Sequence, residues 1–359
     1  MRNFISVKEL SKDEIIEVLD VAKRLDNTDS KERMKILDGK IMTSIFFEPS
    51  TRTRLSFTSA AYKMGCKELG FDNPDKSSIM KGESLRDTII MVSAYSDVIV
   101  MRHNIDGAAR FAEEVTDCPI INAGDGSNEH PSQTLLDLYT LREELGSIEN
   151  KKIAFVGDTK YGRTVHSLAK ALKRFNGEFY FVSPDIIQIP DYILKELDKF
   201  QIKYKKLNNY EEILKDVDCL YMTRIQKERF DDIKEFEKVK NAFNISRATI
   251  EGKCKDDMII MHPLPRVDEI NIDLDDTKYA KYFVQARNGV PTRMAMLAIA
   301  SGVIELTSKR KEKPYPIVEN KEMLCTNSKC VTHFEKTKNK VMKRSYGDFC
   351  YYCNREIGK

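Results

Sequence analysis

Short apolar runs, rich in β-branched and aromatic residues, recur along the chain and are separated by helix-length amphipathic stretches. The runs are IMTSIFF (41–47), VIVM (98–101), PIIN (119–122), KIAFVG (152–157), FYFVS (179–183), CLYMT (219–223) and MIIMH (258–262). Near-continuous apolar strands that alternate with helices are typical of parallel sheets covered on both faces. The pattern predicts an α/β fold with two doubly wound parallel-sheet domains, joined near the helical stretch 134–146.

The division of the chain follows from these blocks and from a change in composition near the C-terminus. We expect a first domain over 1–133, completed by a helix at about 290–306, and a second domain over 134–289. The charged, proline-bearing stretch SKRKEKPYP predicts a linker over 307–322. We expect a small β module over 323–359 to follow it.

Polar loops follow six of the apolar runs, and five of these loops carry arginine. The loops are EPSTRTR, RH, AGDGSNEHPSQ, DTKYGR, RIQKER and HPLPR. Open parallel sheets bind ligands beyond the carboxyl ends of their strands. The loops therefore indicate a cleft for an anionic ligand.

The first loop, EPSTRTR, stands where a strand turns into a helix. A helix N-terminus offers unpaired N–H groups, Ser50, Thr51 and Thr53 add hydroxyls, and Arg52 adds a planar donor pair that suits phosphate. Arg54 lies on a different face of the helix, so we expect it to be a structural brace. The alternative is that Ser50 only caps the helix and both arginines lie on a solvated face.

Composition and charge narrow the class of protein. The 359 residues are 41% apolar and 32% charged, as in ordinary soluble proteins. The first residues lack the apolar core of a signal peptide and no apolar run is long enough to span a membrane, so we expect a cytoplasmic protein. The net charge is +3, but residues 307–359 hold 13 basic and 6 acidic side chains. Only this tail has the charge for nucleic-acid binding.

The eight cysteines fall into two groups. Cys66, Cys118, Cys219 and Cys254 are scattered beside apolar residues, which predicts buried, reduced thiols. Cys325-x4-Cys330 and Cys350-x2-Cys353 form two pairs in a short polar segment. Four thiolates suit tetrahedral Zn²⁺ and leave no open position for catalysis, so we expect a structural zinc, with disulfides as the alternative. His333 is then spare.

Taken together and in order, the motifs resemble the catalytic chains of the aspartate carbamoyltransferase family, from the N-terminus to about residue 306. They are SIFFEPSTRTR (44–54), KGE (81–83), VMRH (100–103), GDGSNEHPSQTLLDL (124–138), YGRTVHS (161–167), MTRIQKER (222–229) and HPLPRVDEI (262–270). The last two favour aspartate over ornithine, because ornithine enzymes carry an S-M-G loop and an H-C-L-P motif. An ornithine-type carbamoyltransferase remains the alternative within the family.

The resemblance implies an enzyme that transfers the carbamoyl group of carbamoyl phosphate to L-aspartate, in de novo pyrimidine biosynthesis, with no cofactor for catalysis. Carbamoyl phosphate would be bound by Ser50, Thr51, Arg52, Thr53, Arg102, His130 and Gln133. Ser77 and Lys81 would come from a neighbouring subunit, which implies a homotrimer with shared active sites. L-Aspartate would be bound by Lys81, Arg163, Arg224, Gln226, Pro263 and Leu264, and the catalytic groups would be Arg52, Thr53, Lys81, Arg102 and His130.

Two features depart from the family pattern. Glu129 stands where the family often has glutamine, and we expect its charge to raise the pKa of the adjacent His130. The segment MLCTNSKCVTHFE…FCYYCNREI resembles the zinc-binding domain of the family's regulatory chain, here fused and without a nucleotide-binding domain before it. We expect this tail to brace contacts between catalytic chains, joining trimers into a larger assembly. The rival hypothesis is a nucleic-acid-binding protein that uses a basic zinc ribbon.

Overall fold

The computed structural model describes residues 1–73, 81–225, 233–239, 242–308, 315–320 and 324–357. The chain forms two compact units, one of Met1–Leu135 with Gly289–Lys359 and one of Leu136–Asn288. Within the described ranges, none of the helices has the length and apolarity that crossing a bilayer requires.

The first unit contains a four-stranded parallel sheet in the order β2-β1-β3-β4. Its strands are β1 (Ile41–Phe46), β2 (Lys67–Phe71), β3 (Val98–His103) and β4 (Ile120–Asp125). Its helices are α1 (Lys12–Asn27), α2 (Ser30–Arg33), α3 (Thr51–Lys63), α4 (Leu85–Ser93) and α5 (Ala108–Val115), and α6 (Pro131–Leu145) starts in this unit. The expected class, a doubly wound α/β fold, is confirmed here.

The second unit contains a five-stranded parallel sheet in the order β7-β6-β5-β8-β9. Its strands are β5 (Lys152–Val156), β6 (Glu178–Val182), β7 (Tyr204–Leu207), β8 (Cys219–Met222) and β9 (Ile259–Met261). Its helices are α7 (Arg163–Leu172), α8 (Asp191–Lys199), α9 (Ile233–Val239) and α10 (Arg247–Ile250), and α11 (Tyr282–Ala300) begins in it. The second α/β domain is therefore confirmed in its class.

The C-terminal segment folds as an antiparallel sheet of three strands, as the sequence predicted for a small β module. They are β10 (Ile317–Glu319), β11 (Lys340–Arg344) and β12 (Gly347–Cys350). Part of the predicted linker is thus a strand, because Ile317 and Val318 pair with β11. The helix expected at about 290–306 instead runs over Tyr282–Ala300 with Pro291 inside it, and Gly302 follows it at a φ of 77°.

The sequence pattern missed β2 and β7, each of which is one of the two edge strands of its sheet. KELGF and YKKL carry few apolar residues, and their side chains are mostly exposed or half-buried. Charged side chains on edge strands discourage pairing with other chains, and they also remove the apolar signal by which a strand is recognised.

His103 closes β3 as a buried, neutral side chain of the first unit. Its Nδ1 accepts the backbone N–H of Ile105 at 3.0 Å, and its ring centroid lies 4.4 Å from that of Phe47. Burial lowers the pKa of His103 from 6.5 to about 4. These contacts indicate a structural role for His103.

This burial predicts a loss of stability in acid. Between pH 6.5 and 4 the unfolded chain protonates His103 while the folded chain does not, so the free energy of unfolding falls as the pH is lowered, by up to about 3 kcal/mol from this group. Urea-unfolding midpoints of the wild type and His103→Asn, measured at intervals from pH 7 to 4.5, test this. We expect the variant to be less stable than the wild type at pH 7 but to lose less unfolding free energy on acidification. Parallel pH curves for the two proteins would contradict it.

Candidate active site and cysteine cluster

Three neighbouring strands of the first unit, β1, β3 and β4, end at one edge of the sheet and bring three polar loops together. In the register of the sheet, Phe46 of β1 lies beside Arg102 of β3. Arg102 contacts the loops on both sides, because Nη1 donates to the carbonyl of Ala123 at 3.3 Å and Nη2 lies 3.1 Å from the carboxylate of Glu48. One guanidinium therefore joins the ends of all three strands.

The N-terminus of α3 opens onto this edge. Ser50 is the N-cap residue and makes no side-chain capping hydrogen bond, and the first intrahelical bond runs from Arg54 N–H to the Ser50 carbonyl at 3.1 Å. The N–H groups of Thr51, Arg52 and Thr53 precede that bond and point out of the helix end. The Ser50 side chain therefore does not cap the helix, and the arrangement suits an anion.

The two arginines of α3 have different surroundings. Arg54 forms a salt bridge with Asp72, which follows β2, so it acts as a brace inside the unit. Arg52 is exposed beside Thr53, whose side chain is buried. The guanidinium of Arg52 can thus reach an anion at the helix end while Arg54 holds the loop.

His130 and Gln133 enter from the third loop, at the start of α6. Both are buried, and the Ser132 hydroxyl lies 3.3 Å from His130 Nδ1. The backbone of Gln133 bonds to the His130 carbonyl at 3.0 Å. Burial removes competing water, so hydrogen bonds from these side chains to a ligand are stronger than on an open surface.

Two residues expected from a neighbouring subunit lie after β2. Lys81 is exposed and stands just before α4, and Ser77 lies outside the described residues. If Lys81 serves a neighbouring subunit, it should not contact the three loops of its own chain.

In the second unit, β5, β8 and β9 also end together, and the expected aspartate-binding residues follow them. Arg163 is the first residue of α7 after β5, Arg224 lies two residues beyond β8, and Pro263 and Leu264 follow β9. The four are half-buried. Gln226 lies outside the described residues.

His262 holds the backbone at Leu264. Its Nδ1 accepts the N–H of Leu264 at 2.8 Å, and its Nε2 donates to Glu269 at 2.7 Å. Burial lowers the pKa of His262, although Glu269 opposes that shift, and the charge of Arg224 lowers it further. Arg224 is therefore close to the HPLPR loop.

Glu129, the departure from the family pattern, has a partner that is distant in the chain. The expected effect of its charge on the pKa of His130 stays a prediction. Its carboxylate is buried and lies 3.6 Å from the ammonium group of Lys8. The backbone N–H of Glu129 donates to Asp125 at 3.1 Å. The charge is thus paired with the N-terminal segment, which a local reading of NEHPSQ could not reveal.

The four C-terminal cysteines converge. Their sulfur atoms lie within 4.8 Å of one another and all four residues are buried. The Cys325–Cys353 and Cys330–Cys350 sulfur distances are 3.5 and 3.7 Å. A tetrahedral Zn²⁺ with bonds of about 2.3 Å needs sulfurs roughly 3.8 Å apart, so the cluster fits this ion. His333 is not part of it, because its Nε2 donates to the Cys325 carbonyl at 2.7 Å.

Burial raises the pKa of each of the four cysteines outside the tail, which favours the protonated thiol. Cys66 and Cys219 are buried as expected, whereas Cys118 and Cys254 are only half-buried. Burial raises the pKa of Cys66 and of Cys118 to about 11. All eight cysteines are free of disulfides, so the disulfide alternative for the tail is absent from the structure.

The module packs against its own chain. Val331, Val341 and Tyr352 share one hydrophobic core with Ile89 of α4 and Phe111 of α5. Two of its basic side chains pair with carboxylates of the first unit, namely Lys340 with Glu114 and Arg355 with Asp106. The basic tail is therefore partly neutralised, which disfavours the nucleic-acid hypothesis.

Comparison with known proteins agrees with this geometry. Residues 2–143 match the family model "Aspartate/ornithine carbamoyltransferase, carbamoyl-P binding domain" and residues 149–300 match "Aspartate/ornithine carbamoyltransferase, Asp/Orn binding domain". The aspartate carbamoyltransferase catalytic subunit of Brachyspira hyodysenteriae is 80% identical over the full length of both chains. That of Methanocaldococcus jannaschii is 52% identical over 83% of this chain and 97% of its own.

Solved structures give the same result. The catalytic subunit of M. jannaschii aspartate transcarbamoylase has a TM-score of 0.78 at 52% identity, over 84% of this chain and 98% of its own. The Trypanosoma cruzi enzyme in complex with carbamoyl phosphate and aspartate has a TM-score of 0.78 at 39% identity, over 83% of this chain and 96% of its own. The chain belongs to the family of aspartate carbamoyltransferase catalytic chains.

Proposed function

We propose that the chain transfers the carbamoyl group of carbamoyl phosphate to L-aspartate, with the phosphate at the N-terminus of α3. The observation that supports this most strongly is the meeting of three strand ends of the first unit around Arg102. The loops of Ser50–Thr53, Arg102 and His130–Gln133 supply positive charge and hydrogen-bond donors, the groups that a phosphate and a polarised carbonyl require.

The proposed reaction is direct attack on the carbamoyl carbon. The amine of an aspartate bound by Arg163, Arg224 and Gln226 forms a C–N bond, and the carbonyl oxygen takes up the negative charge of a tetrahedral intermediate. Thr53, Arg102 and His130 donate hydrogen bonds to that oxygen. The C–O bond to phosphate then breaks, and the departing phosphate accepts the proton released by the amine. The products are N-carbamoyl-L-aspartate and phosphate, as de novo pyrimidine biosynthesis uses them.

Two effects accelerate the proposed reaction, namely the positioning of the two anionic substrates and the stabilisation of the oxyanion. Each preorganised donor contributes about 10²–10³ in rate, and bringing the substrates together contributes effective molarities of about 10⁵ M or more. The alternative acceptor, ornithine, is disfavoured by the two arginines after β5 and β8, because they suit a second carboxylate and repel an ammonium group.

The residues of α3 give a matched pair of variants. Arg52→Ala should lower kcat by about 10²–10³ or more, because the phosphate loses its bidentate partner. Arg54→Ala removes only the salt bridge to Asp72, so it should keep kcat near the wild-type value. Initial rates of carbamoyl-aspartate formation, with circular dichroism to confirm folding, measure both. Near-normal turnover of Arg52→Ala would refute the proposed phosphate site.

We propose further that the active unit is a homotrimer in which Ser77 and Lys81 complete a neighbouring site. Elements around Lys81 expose large apolar side chains, as a subunit contact requires. They are Leu55 and Tyr62 of α3, Leu69 of β2, and Ile90 and Met91 of α4. A larger assembly would use the outer side of the module, where Phe334 and Leu324 are exposed.

Shared sites predict complementation between two inactive variants. Lys81→Ala and His130→Ala should each be inactive, but trimers reassembled from an equal mixture should recover about a quarter of wild-type activity. In about one site in four, a Lys81→Ala chain supplies the intact His130 and a neighbouring His130→Ala chain supplies the intact Lys81. Native mass on the same samples gives the number of 41.4 kDa chains. A mixture that stays inactive although mixed trimers are present would contradict shared sites.

The metal is proposed as Zn²⁺, held by Cys325, Cys330, Cys350 and Cys353, with a structural role. Bound there, the ion would supply the energy that folds a segment with little apolar mass of its own. Thiolate ligands require a reducing compartment, which supports the proposed cytoplasmic location.

Metal analysis of three proteins tests the assignment. The wild type should contain one Zn²⁺ per chain, Cys325→Ser should lose it and melt at a lower temperature, and Cys254→Ser should retain it because Cys254 is not one of the four clustered cysteines. Cobalt-substituted protein should show thiolate-to-metal charge-transfer absorption. A wild type that stays metal-free after refolding with Zn²⁺ would overturn the site.

A further inference from the structure

The loop that leads from β4 to His130 is bonded to the C-terminal module as well as to its own domain. Ser127 N–H donates to the Asp106 carboxylate at 2.7 Å. The Asn128 side chain donates to the Tyr352 carbonyl at 3.4 Å and accepts from the Asn354 amide at 3.3 Å. The four residues before His130 are therefore held from two directions.

Asp106 connects the loop to the first cysteine pair. Its second carboxylate oxygen accepts from Asn327 at 2.9 Å, its N–H donates to the Lys329 carbonyl at 3.0 Å, and its carbonyl accepts from Val331 N–H at 2.9 Å. Asp106 is only 1% exposed. A buried carboxylate with all these bonds transmits the position of the segment 325–330 to Ser127.

Asn354 connects the loop to the second cysteine pair. It follows Cys353 directly, adopts a left-handed φ of 59°, and its N–H bonds to the Cys350 carbonyl at 3.0 Å. Its side-chain oxygen accepts from Arg344 at 3.2 Å, which directs the amide nitrogen towards Asn128. The turn that presents Cys350 and Cys353 thus also presents the donor to the His130 loop.

Two glycines permit this close approach. A Cβ on Gly126 would lie 1.9 Å from the Asp106 carboxylate, and one on Gly107 would lie 2.7 Å from the backbone of Tyr352. Both have a positive φ. A larger residue at position 126 would push the loop away from Asp106, and one at position 107 would push Tyr352 away from the start of α5.

We propose that the metal-bound cysteine module positions His130 for carbamoyl transfer, with Asn128 as the positioning residue through which the second cysteine turn acts. This inference rests on the proposed function of His130. A module of this size depends on its metal for folding, so loss of the metal would release both connections together. His130 would then lose the alignment on which its hydrogen bond to the oxyanion depends. Metal occupancy would thereby control turnover from outside the substrate pocket.

A double-mutant cycle tests the connection in the full-length protein. Asn128→Ala removes one partner, and Asn354→Gly removes the other while keeping the left-handed backbone accessible. Each should lower kcat by about tenfold with a smaller change in KM for carbamoyl phosphate, since the transition state is affected more than substrate binding. The double variant should be no worse than either single one.

Tyr352→Phe is the matched control. It removes the bond from the Tyr352 hydroxyl to Glu114 at 2.8 Å, in the same contact between module and domain but away from the loop. Its kcat should stay near the wild-type value. A fall in kcat as large as that of Asn128→Ala, or strictly additive effects of Asn128→Ala and Asn354→Gly, would overturn the proposal.

Hydrogen exchange separates this inference from the proposed function. Peptides spanning 122–135 should exchange faster in Asn128→Ala, and also in the wild type after a mercurial and a chelator remove Zn²⁺, while peptides of the second unit stay unchanged. Unchanged exchange at 122–135 after metal removal would refute the connection even if carbamoyl transfer is confirmed. Faster exchange in a protein without carbamoyl transfer would support the connection and refute the function.

Discussion

The site depends on one topological constraint, the adjacency of β1, β3 and β4 in a parallel sheet. Parallel strands end at the same edge, so the loops that follow them meet although they are far apart in sequence. The pairing of Phe46 with Arg102 then sets the guanidinium between Glu48 and Ala123. Without that order, the donors of α3 and the buried His130 would belong to separate surfaces.

The C-terminal module contributes to the order of the loops at this edge of the sheet. It is not an appendage on a free linker, because its core residues join those of α4 and α5 and one of its strands lies within the expected linker. Burial raises the pKa of Asp106 and of Asp125, and the hydrogen bonds that each carboxylate accepts offset part of the cost of burying its charge. Part of that hydrogen bonding comes from the cysteine turns, so folding of the module and order in the active-site loop are linked.

Sequence reasoning succeeded where one local pattern decides the outcome. Apolar runs located the buried strands, the spacing of Arg52 and Arg54 separated a candidate ligand-binding group from a brace, and the cysteine pairs located a cluster that fits a metal. It failed where partners are distant in the chain. The edge strands β2 and β7 lack an apolar signal, and Glu129 is paired with Lys8 from the N-terminus. The contact between Asn128 and Asn354 joins residues too far apart for any local pattern to predict.

The most direct test of the account is a crystal structure of the full-length protein grown with inorganic phosphate. The account predicts phosphate density at the N-terminus of α3, within hydrogen-bond distance of the N–H groups of Thr51–Thr53 and of the Arg52 guanidinium, with Arg102 and His130 facing the same space. Phosphate bound elsewhere on the chain, with the α3 N-terminus occupied only by water at saturating phosphate, would contradict it.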